Sequence, residues 1–267
     1  MRDLACAARP DLVELAGELV GEDPFYRVDD GTRFAQPALY CASVALWEEA
    51  GRPDADYLAG HSLGEIAALV AASSFDADDG LRIAVRRGEL MGAAAEAAEG
   101  GGMLAVLGDD AAARELAHRH RLVLANDNAP GQLVLSGPDE DIEAAAADAK
   151  EYGLRTVRLP IRGAFHSRAM APAVPKLREA LAAIEVHPPR TPVISGVTAE
   201  PIDDVRARLA EAVIRPVRWR DVLGALRDLD VERFLEVGPG KVLKGLVRRT
   251  VPDAEALTLT DLEPAHA

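Results

Sequence analysis

Cysteine is nearly absent: only Cys6 and Cys41 occur in 267 residues. Two thiols cannot build a disulfide framework, and no Cys/His group has metal-ligand spacing, so no metal site is read. Both are expected to be buried or incidental thiols of a reducing compartment. The N-terminus, M-R-D-L-A-C-A-A-R-P-D-L, lacks the charged-then-apolar order of a secretory signal. Charges or prolines break every apolar run before it reaches the ~20 residues that span a bilayer. Basic residues are also short, 30 Lys and Arg against 44 Asp and Glu, a formal charge of −14. Such a surface repels nucleic acid and anionic membranes, so a polyanionic partner needs a local basic patch. The default reading is a soluble cytoplasmic protein with no nucleic-acid or membrane partner.

With 49% hydrophobic and 28% charged residues, the composition is that of a globular chain. Its length suits one large domain, or one domain with a smaller insert. Residues 36–50 read as a helix with Pro37 in its first turn and Leu39, Val44, Leu46 and Trp47 on its apolar face. Residues 52–58 lead into a short strand that ends at Ala59, the run after Ser62 reads as a buried helix, and 81–98 as an Ala-rich helix carrying Arg82, Arg86 and Arg87. Gly100-Gly101-Gly102 then marks a boundary.

Beyond it the order is regular: strand 103–107, helix 109–120, strand 122–125, strand 132–136, helix 139–152, strand 155–159. That is β-α-β-β-α-β, the ferredoxin-like order. Afterwards come a helix over 170–184, a short strand at 192–196, helices at 203–212 and 219–228, and a buried strand from Arg233 into Gly238-Pro239-Gly240. The expected fold is α/β: a hydrolase-like core with a mainly parallel sheet, residues 1–99 and 164–267, interrupted by a ferredoxin-like subdomain, 100–163.

G-H-S-L-G-E at 60–65, after a strand and before a helix, has the form of a nucleophile elbow. Side chains at positions 60 and 64 would collide in so sharp a turn. Ser62 is thus the candidate nucleophile, and the Leu63 backbone amide can donate to a developing oxyanion. A serine needs a base. Of six histidines, His118 and His120 fall on an exposed insert helix, His187 precedes two prolines, and His266 is in the tail. His61 adjoins Ser62, where adjacent residues on a turn point apart. His166, in G-A-F-H-S where the chain re-enters the core, is left as the candidate base. It sits mid-chain, and no aspartate at a strand end offers itself as orienter, which disfavours an ordinary esterase. G-P-G-K at 238–241 lacks the spacing and the Ser/Thr of a phosphate loop and is read as a strand-to-helix turn.

Seven motifs in order, Q-P-A-L at 36–39, G-H-S-L-G-E, the R-G of Arg87-Gly88, N-x-N-x-P-G-Q at 126–132, G-A-F-H-S at 163–167, P-V-R-W at 216–219 and E-V-G-P-G-K-V-L at 236–243, span the chain. Together they resemble the malonyl-CoA:acyl-carrier-protein transacylases and the acyltransferase domains of polyketide synthases. That resemblance implies an α/β core with a ferredoxin-like insert. It also implies a malonyl group moved from malonyl-CoA to a Ser62 ester, and from there to the phosphopantetheine thiol of an acyl carrier protein. No bound cofactor is implied. His166 becomes the general base, oriented by a backbone carbonyl near Ala212–Arg215, and Arg87 the clamp for the free malonyl carboxylate. Phe165 stands where the family tunes its extender unit, and a ring there leaves little room for an α-methyl. His61, Met91, Asn126 and Asn128 are further candidates for the substrate side, with core packing or turn chemistry as the plain alternatives.

The family's opening F-P-G-Q-G-S-Q segment, with its oxyanion glutamine, has no counterpart before Leu4; a start cut too late is the favoured expectation. The alternatives are a serine thioesterase or hydrolase of the same fold, which Arg87 disfavours, and an inactive carrier-binding paralogue.

Both implied partners are anionic, so the basic clusters Arg155, Arg158, Arg162, Arg168 and Arg215, Arg218, Arg220, Lys241, Lys244, Arg248, Arg249 are expected to supply a docking rim. Charge reversal there should slow transfer to carrier protein and flatten its salt dependence, measured as transfer rate against ionic strength; unchanged rates across the whole set would exclude the rim.

Overall fold

A computed structural model describes residues 1–262, and His266 lies outside the described residues. Helices α1 (Arg2–Ala8), α2 (Pro10–Val20) and α3 (Thr32–Glu49) lead to β1 (Leu58–Ala59), α4 (Gly64–Ala71) and α5 (Ala77–Ala97). Next come β2 (Gly102–Leu107), α6 (Asp110–Arg119), β3 (Val123–Ala129), β4 (Gln132–Gly137), α7 (Asp139–Asp148) and β5 (Arg155–Arg158). The chain continues through α8 (Ala173–Ala182), β6 (Val193–Ile194), α9 (Val205–Ala212), α10 (Trp219–Asp228), β7 (Arg233–Glu236), α11 (Val242–Thr250) and β8 (Glu255–Thr258). Asp76, Asp109 and Asp204 cap α5, α6 and α9, each accepting the backbone N–H three residues on. These bonds satisfy donors that a helix start leaves without partners.

Strands β2 to β5 form one antiparallel sheet in the order β3-β4-β2-β5. Helices α6 and α7 pack on it through a core of its own, built on Leu104, Leu116, Leu133, Leu135 and Ile142. The larger core gathers α2, α3, α4, α5 and α8 around Tyr40, Ile66, Leu69, Leu81 and Leu177. A third cluster joins α10 and α11 through Trp219, Val222, Leu223, Leu246 and Val247.

Several expectations are corrected. The parallel strands form two separate pairs, β1–β6 and β7–β8, rather than one continuous sheet. They are short, and β1 and β6 contribute two residues each. Residues 233–236 are half-buried or exposed, not buried, because β7 pairs only with β8. Helix α3 begins at Thr32, so Pro37 lies inside it; its missing N–H leaves the Arg33 carbonyl without the usual partner. The buried face runs through Phe34, Tyr40, Cys41 and Val44, and Leu39 is exposed. The helix expected over 170–184 is a 3-10 turn, Arg168–Met170, followed by α8, because Pro172 and Pro175 favour a helix start over a continuous run. His120 follows the end of α6 and is mostly covered, 3.1 Å from Asp148. Among the described residues no helix is long and apolar enough to cross a membrane, and no group of three or more His, Cys, Asp or Glu could hold a metal ion.

Two glycines decide how closely elements approach. A Cβ on Gly60 would stand 2.1 Å from the Gly64 carbonyl carbon, inside any allowed contact. A Cβ on Gly88 would stand 2.6 Å from the Thr32 carbonyl oxygen, so this glycine lets α5 lie against α3. Gly64, expected to be constrained like Gly60, faces open space; the collision concerns its backbone, not its side-chain direction. Gly88→Ala is therefore expected to cost about 1–3 kcal/mol by forcing the helices apart. Gly224→Ala, in open space on α10, should instead gain about 0.5–1 kcal/mol. Urea unfolding of the two variants checks both signs.

Candidate active site

Strand β1 ends at Ala59, and the turn that follows places Ser62 at φ 52. A non-glycine residue in this left-handed region costs about 1–3 kcal/mol and is held only by its surroundings. His166, at φ 56, sits in the same region on the loop between β5 and α8. That loop is tied down from the small sheet: the buried Ser136 hydroxyl donates to the Phe165 carbonyl at 2.9 Å. Ser167 Oγ donates to the Ala164 carbonyl at 2.6 Å.

The two strained residues meet. Ser62 Oγ lies 2.8 Å from His166 Nε2. On the far side of the ring, Nδ1 lies 3.0 Å from both the Ala212 and the Arg215 carbonyl oxygens. Carbonyls only accept, so Nδ1 carries the proton and Nε2 is the acceptor for the serine O–H. Among the described residues no carboxylate takes part, and the backbone at 212–215 fills the place in which no acidic orienter is legible in the sequence.

Arg87 approaches the same hydroxyl. Its Nη2 donates to Ser62 Oγ at 3.0 Å, and its Nη1 to Gln36 Oε1 at 2.7 Å. Gln36 in turn donates from Nε2 to Thr32 Oγ1 at 2.5 Å and to Met91 Sδ at 3.6 Å. The guanidinium is buried, and burial pushes its pKa down to about 10 against the opposing pull of Glu65; it stays a cation at neutral pH. His166 is driven the same way, from 6.5 to about 3, first by burial and then by the nearby Arg87 charge and by His61. The imidazole is neutral and able to accept a proton, and the hydroxyl beside it is polarised by a cation.

His61 points away from Ser62, as adjacent turn residues should. Its Nε2–H donates to Asn128 Oδ1 at 2.8 Å, and its ring meets Trp219 edge-on at 5.5 Å between centroids. Enclosure holds its pKa below the ordinary value. Asn128 thus stands beside the turn, reached from β3 of the small sheet. Asn126 is buried but joins the site only through its strand, whose backbone pairs with Val217. Met91 lies behind Gln36, one contact removed from Arg87. Phe165 is buried next to His166. The Leu63 N–H donates to no acceptor among the described residues and is free for a ligand.

Three residues escaped sequence reading. Gln36 and Trp219 stand inside motifs with no chemistry of their own to mark them, and Glu65 closes a motif whose serine takes the attention. Glu65 is fully buried, accepts the Gly196 N–H at 3.1 Å, and has its other oxygen unpartnered. Of the proposed docking rim, Arg158, Arg215, Arg218, Arg220 and Lys244 are spent on internal ion pairs. Arg249 bonds Gln132. Arg155, Arg162, Arg168, Lys241 and Arg248 have no carboxylate partner among the described residues.

An α/β chain with a serine on a strained turn, a carbonyl-oriented histidine and a buried arginine on one hydroxyl has the makings of a site for acyl transfer through serine. The acyl transferase domain family model matches residues 19–264, and the chain belongs to that family. It is 38% identical to the polyketide biosynthesis malonyl CoA-acyl carrier protein transacylase PksC of Bacillus subtilis, over 92% of this chain and 91% of that one. It is 40% identical to the malonyl CoA-acyl carrier protein transacylase of the same organism, over 86% of this chain and 76% of that one. The polyketide biosynthesis protein ThaF of Burkholderia thailandensis is also 40% identical; there the match covers 91% of this chain but 22% of ThaF. Among solved structures, malonyl-CoA:acyl carrier protein transacylase from Xanthomonas oryzae superposes with a TM-score of 0.86 at 36% identity, covering 95% of this chain and 88% of that one.

The buried histidine makes a prediction about pH. The unfolded chain protonates His166 near 6.5, but the folded chain resists until about 3, so its contribution to stability is full above pH 6.5 and drains away as pH falls toward 3. Across that window it should weaken folding by about 1 kcal/mol per pH unit. His166→Asn is expected to flatten this acid slope in urea unfolding followed from pH 6.5 to 4.

Proposed function

We propose that this protein is an [acyl-carrier-protein] S-malonyltransferase serving fatty acid or polyketide synthesis. Malonyl-CoA and an acyl carrier protein are its partners, and no bound cofactor is needed because the carrier brings its own phosphopantetheine. In the first half-reaction His166 Nε2 takes the Ser62 proton as Oγ attacks the thioester carbonyl. The tetrahedral oxyanion is met by the Leu63 N–H, and collapse expels the CoA thiolate, which recovers the proton from His166. In the second half-reaction the carrier thiol gives its proton to His166 and attacks the Ser62 ester, and collapse returns the serine.

The observation that carries this reading is the buried guanidinium of Arg87 at 3.0 Å from the nucleophile. The guanidinium reaches the nucleophile, where a malonyl carboxylate meets it with matching fork geometry. A hydrolase for neutral acyl groups has no use for it. Docking of that carboxylate also cancels part of the field that weakens His166, so the right substrate restores basicity to the base. Phe165 narrows the acyl side, and discrimination against an α-methyl is worth about 1–3 kcal/mol in such a pocket. Asn128 and His61 border the entry to the turn.

The fold is read as a hydrolase-like core, residues 1–99 and 164–267, carrying a ferredoxin-like subdomain at 100–163. The separate core beneath β2–β5 and their antiparallel order support that division. A cytoplasmic location suits the two free thiols.

Intact-mass measurement after mixing with malonyl-CoA should show a malonyl-sized increment that Ser62→Ala abolishes. Arg87→Ala should lower malonyl loading by ~10² or more while changing acetyl loading far less, since only one of the two acyl groups carries a charge to pair.

A further inference from the structure

The acid–base cluster at Ser62 contains one group that the acyl-transfer steps do not use. Glu65 lies on the first turn of α4, three residues beyond Ser62, and is 2% exposed. One carboxylate oxygen accepts the Gly196 N–H at 3.1 Å, and the other is buried with no hydrogen-bond partner. Charged groups face it from two elements. Arg87 comes from α5, and Arg208 from α9, where it is already paired with Glu211 at 2.8 Å. From the loop after β6 it meets only the Gly196 amide. Conversely, among the described residues the charge of Glu65 opposes the effect of burial on Arg87. Arg87 and Glu65 are therefore a buried cation and a buried carboxylate that balance each other across the elbow.

A substrate carboxylate on Arg87 upsets that balance. Two carboxylates would then share one guanidinium in a poorly solvated site, and a buried net negative charge is expensive. We propose that Glu65 is the charge-balancing positioning residue for Arg87, and that its unpartnered oxygen takes up a proton from solvent when the malonyl carboxylate docks. The proposal rests on the malonyl reading above. Its balance is simple: one carboxylate anion and one solvent proton enter the site together, and the proton leaves when the malonyl group passes to the carrier. Burial already raises the carboxyl to about 7, against the Gly196 bond and the two arginines, so the group is poised to respond near neutral pH. An acyl group without a free carboxylate brings no charge and calls for no proton.

The test is proton uptake during single-turnover loading, read with a pH indicator in weakly buffered solution at pH 7, with ester formation followed by intact mass. Wild-type protein loaded from malonyl-CoA should take up as much as about half a proton per ester, the ionised fraction available at that pH. Loading from acetyl-CoA should take up none. Glu65→Gln keeps an acceptor for Gly196 but cannot titrate. It should load malonyl without uptake, and its KM for malonyl-CoA should stay flat from pH 6.5 to 8 where the wild-type KM climbs several-fold. Uptake undiminished in Glu65→Gln would place the proton on another group, such as His166, and overturn the proposal. Malonyl ester formation by wild-type protein without uptake overturns it while leaving the transferase reading intact, and no ester at Ser62 removes both. If Glu65→Gln does not fold, infrared difference spectra of wild-type protein carrying carbon-13-labelled glutamate decide: a protonated glutamate carboxyl band that appears on loading with malonyl-CoA and not with acetyl-CoA supports the proposal, and its absence overturns it.

Discussion

The bond from His166 Nδ1 to the carbonyls of Ala212 and Arg215 is the constraint on which the site turns. It fixes the tautomer, and with it the direction of the proton between Ser62 and the ring. The segment that supplies those carbonyls is itself anchored on two sides. Val217 exchanges backbone bonds with Ala125 and Asp127 of β3, and Arg218 N–H donates to Gly196 O at 2.7 Å. Gly196 in turn holds Glu65 at the base of the elbow. A ring of mostly backbone hydrogen bonds thus runs from the nucleophile turn through the core to the small sheet and back to the histidine.

Electrostatics then sets the chemistry within that frame. Burial alone would leave His166 a weak base and Arg87 an expensive cation, and the two effects reinforce each other because the cation lies beside the imidazole. Glu65 offsets the buried guanidinium, and an anionic acyl group alters that balance because it brings a second carboxylate to the same cation. Gln36 keeps Arg87 aimed while the site waits. Gly88 lets α3 and α5 come close enough for that bond to form.

Much of this was legible in the residues. The alternation that predicts β2 to β5 and their helices is strong because each apolar face covers a separate small core. The elbow is legible because a glycine at 60 and a serine at 62 have few other reasons to share a strand-to-helix turn. Boundaries blurred where tertiary packing overrode local signals: Pro37 is carried inside α3, and Gly64 proved unconstrained. The parallel pairs β1–β6 and β7–β8 join strands far apart in the chain, and no local pattern reports how such strands pair or how long they run.

The chain by itself determined the chemical vocabulary: a serine in a turn only glycine permits, a histidine, an arginine followed by glycine, and a surplus of acid that singles out the basic patches. Only the tertiary structure decided that Ser62, Arg87 and His166 converge on one hydroxyl across 104 residues of chain. It also decided that carbonyls orient the histidine, that Gln36 bonds the arginine, and that the charge of Glu65 acts on it through space. Those roles depend on burial and on distances between remote segments, and a residue's type carries neither.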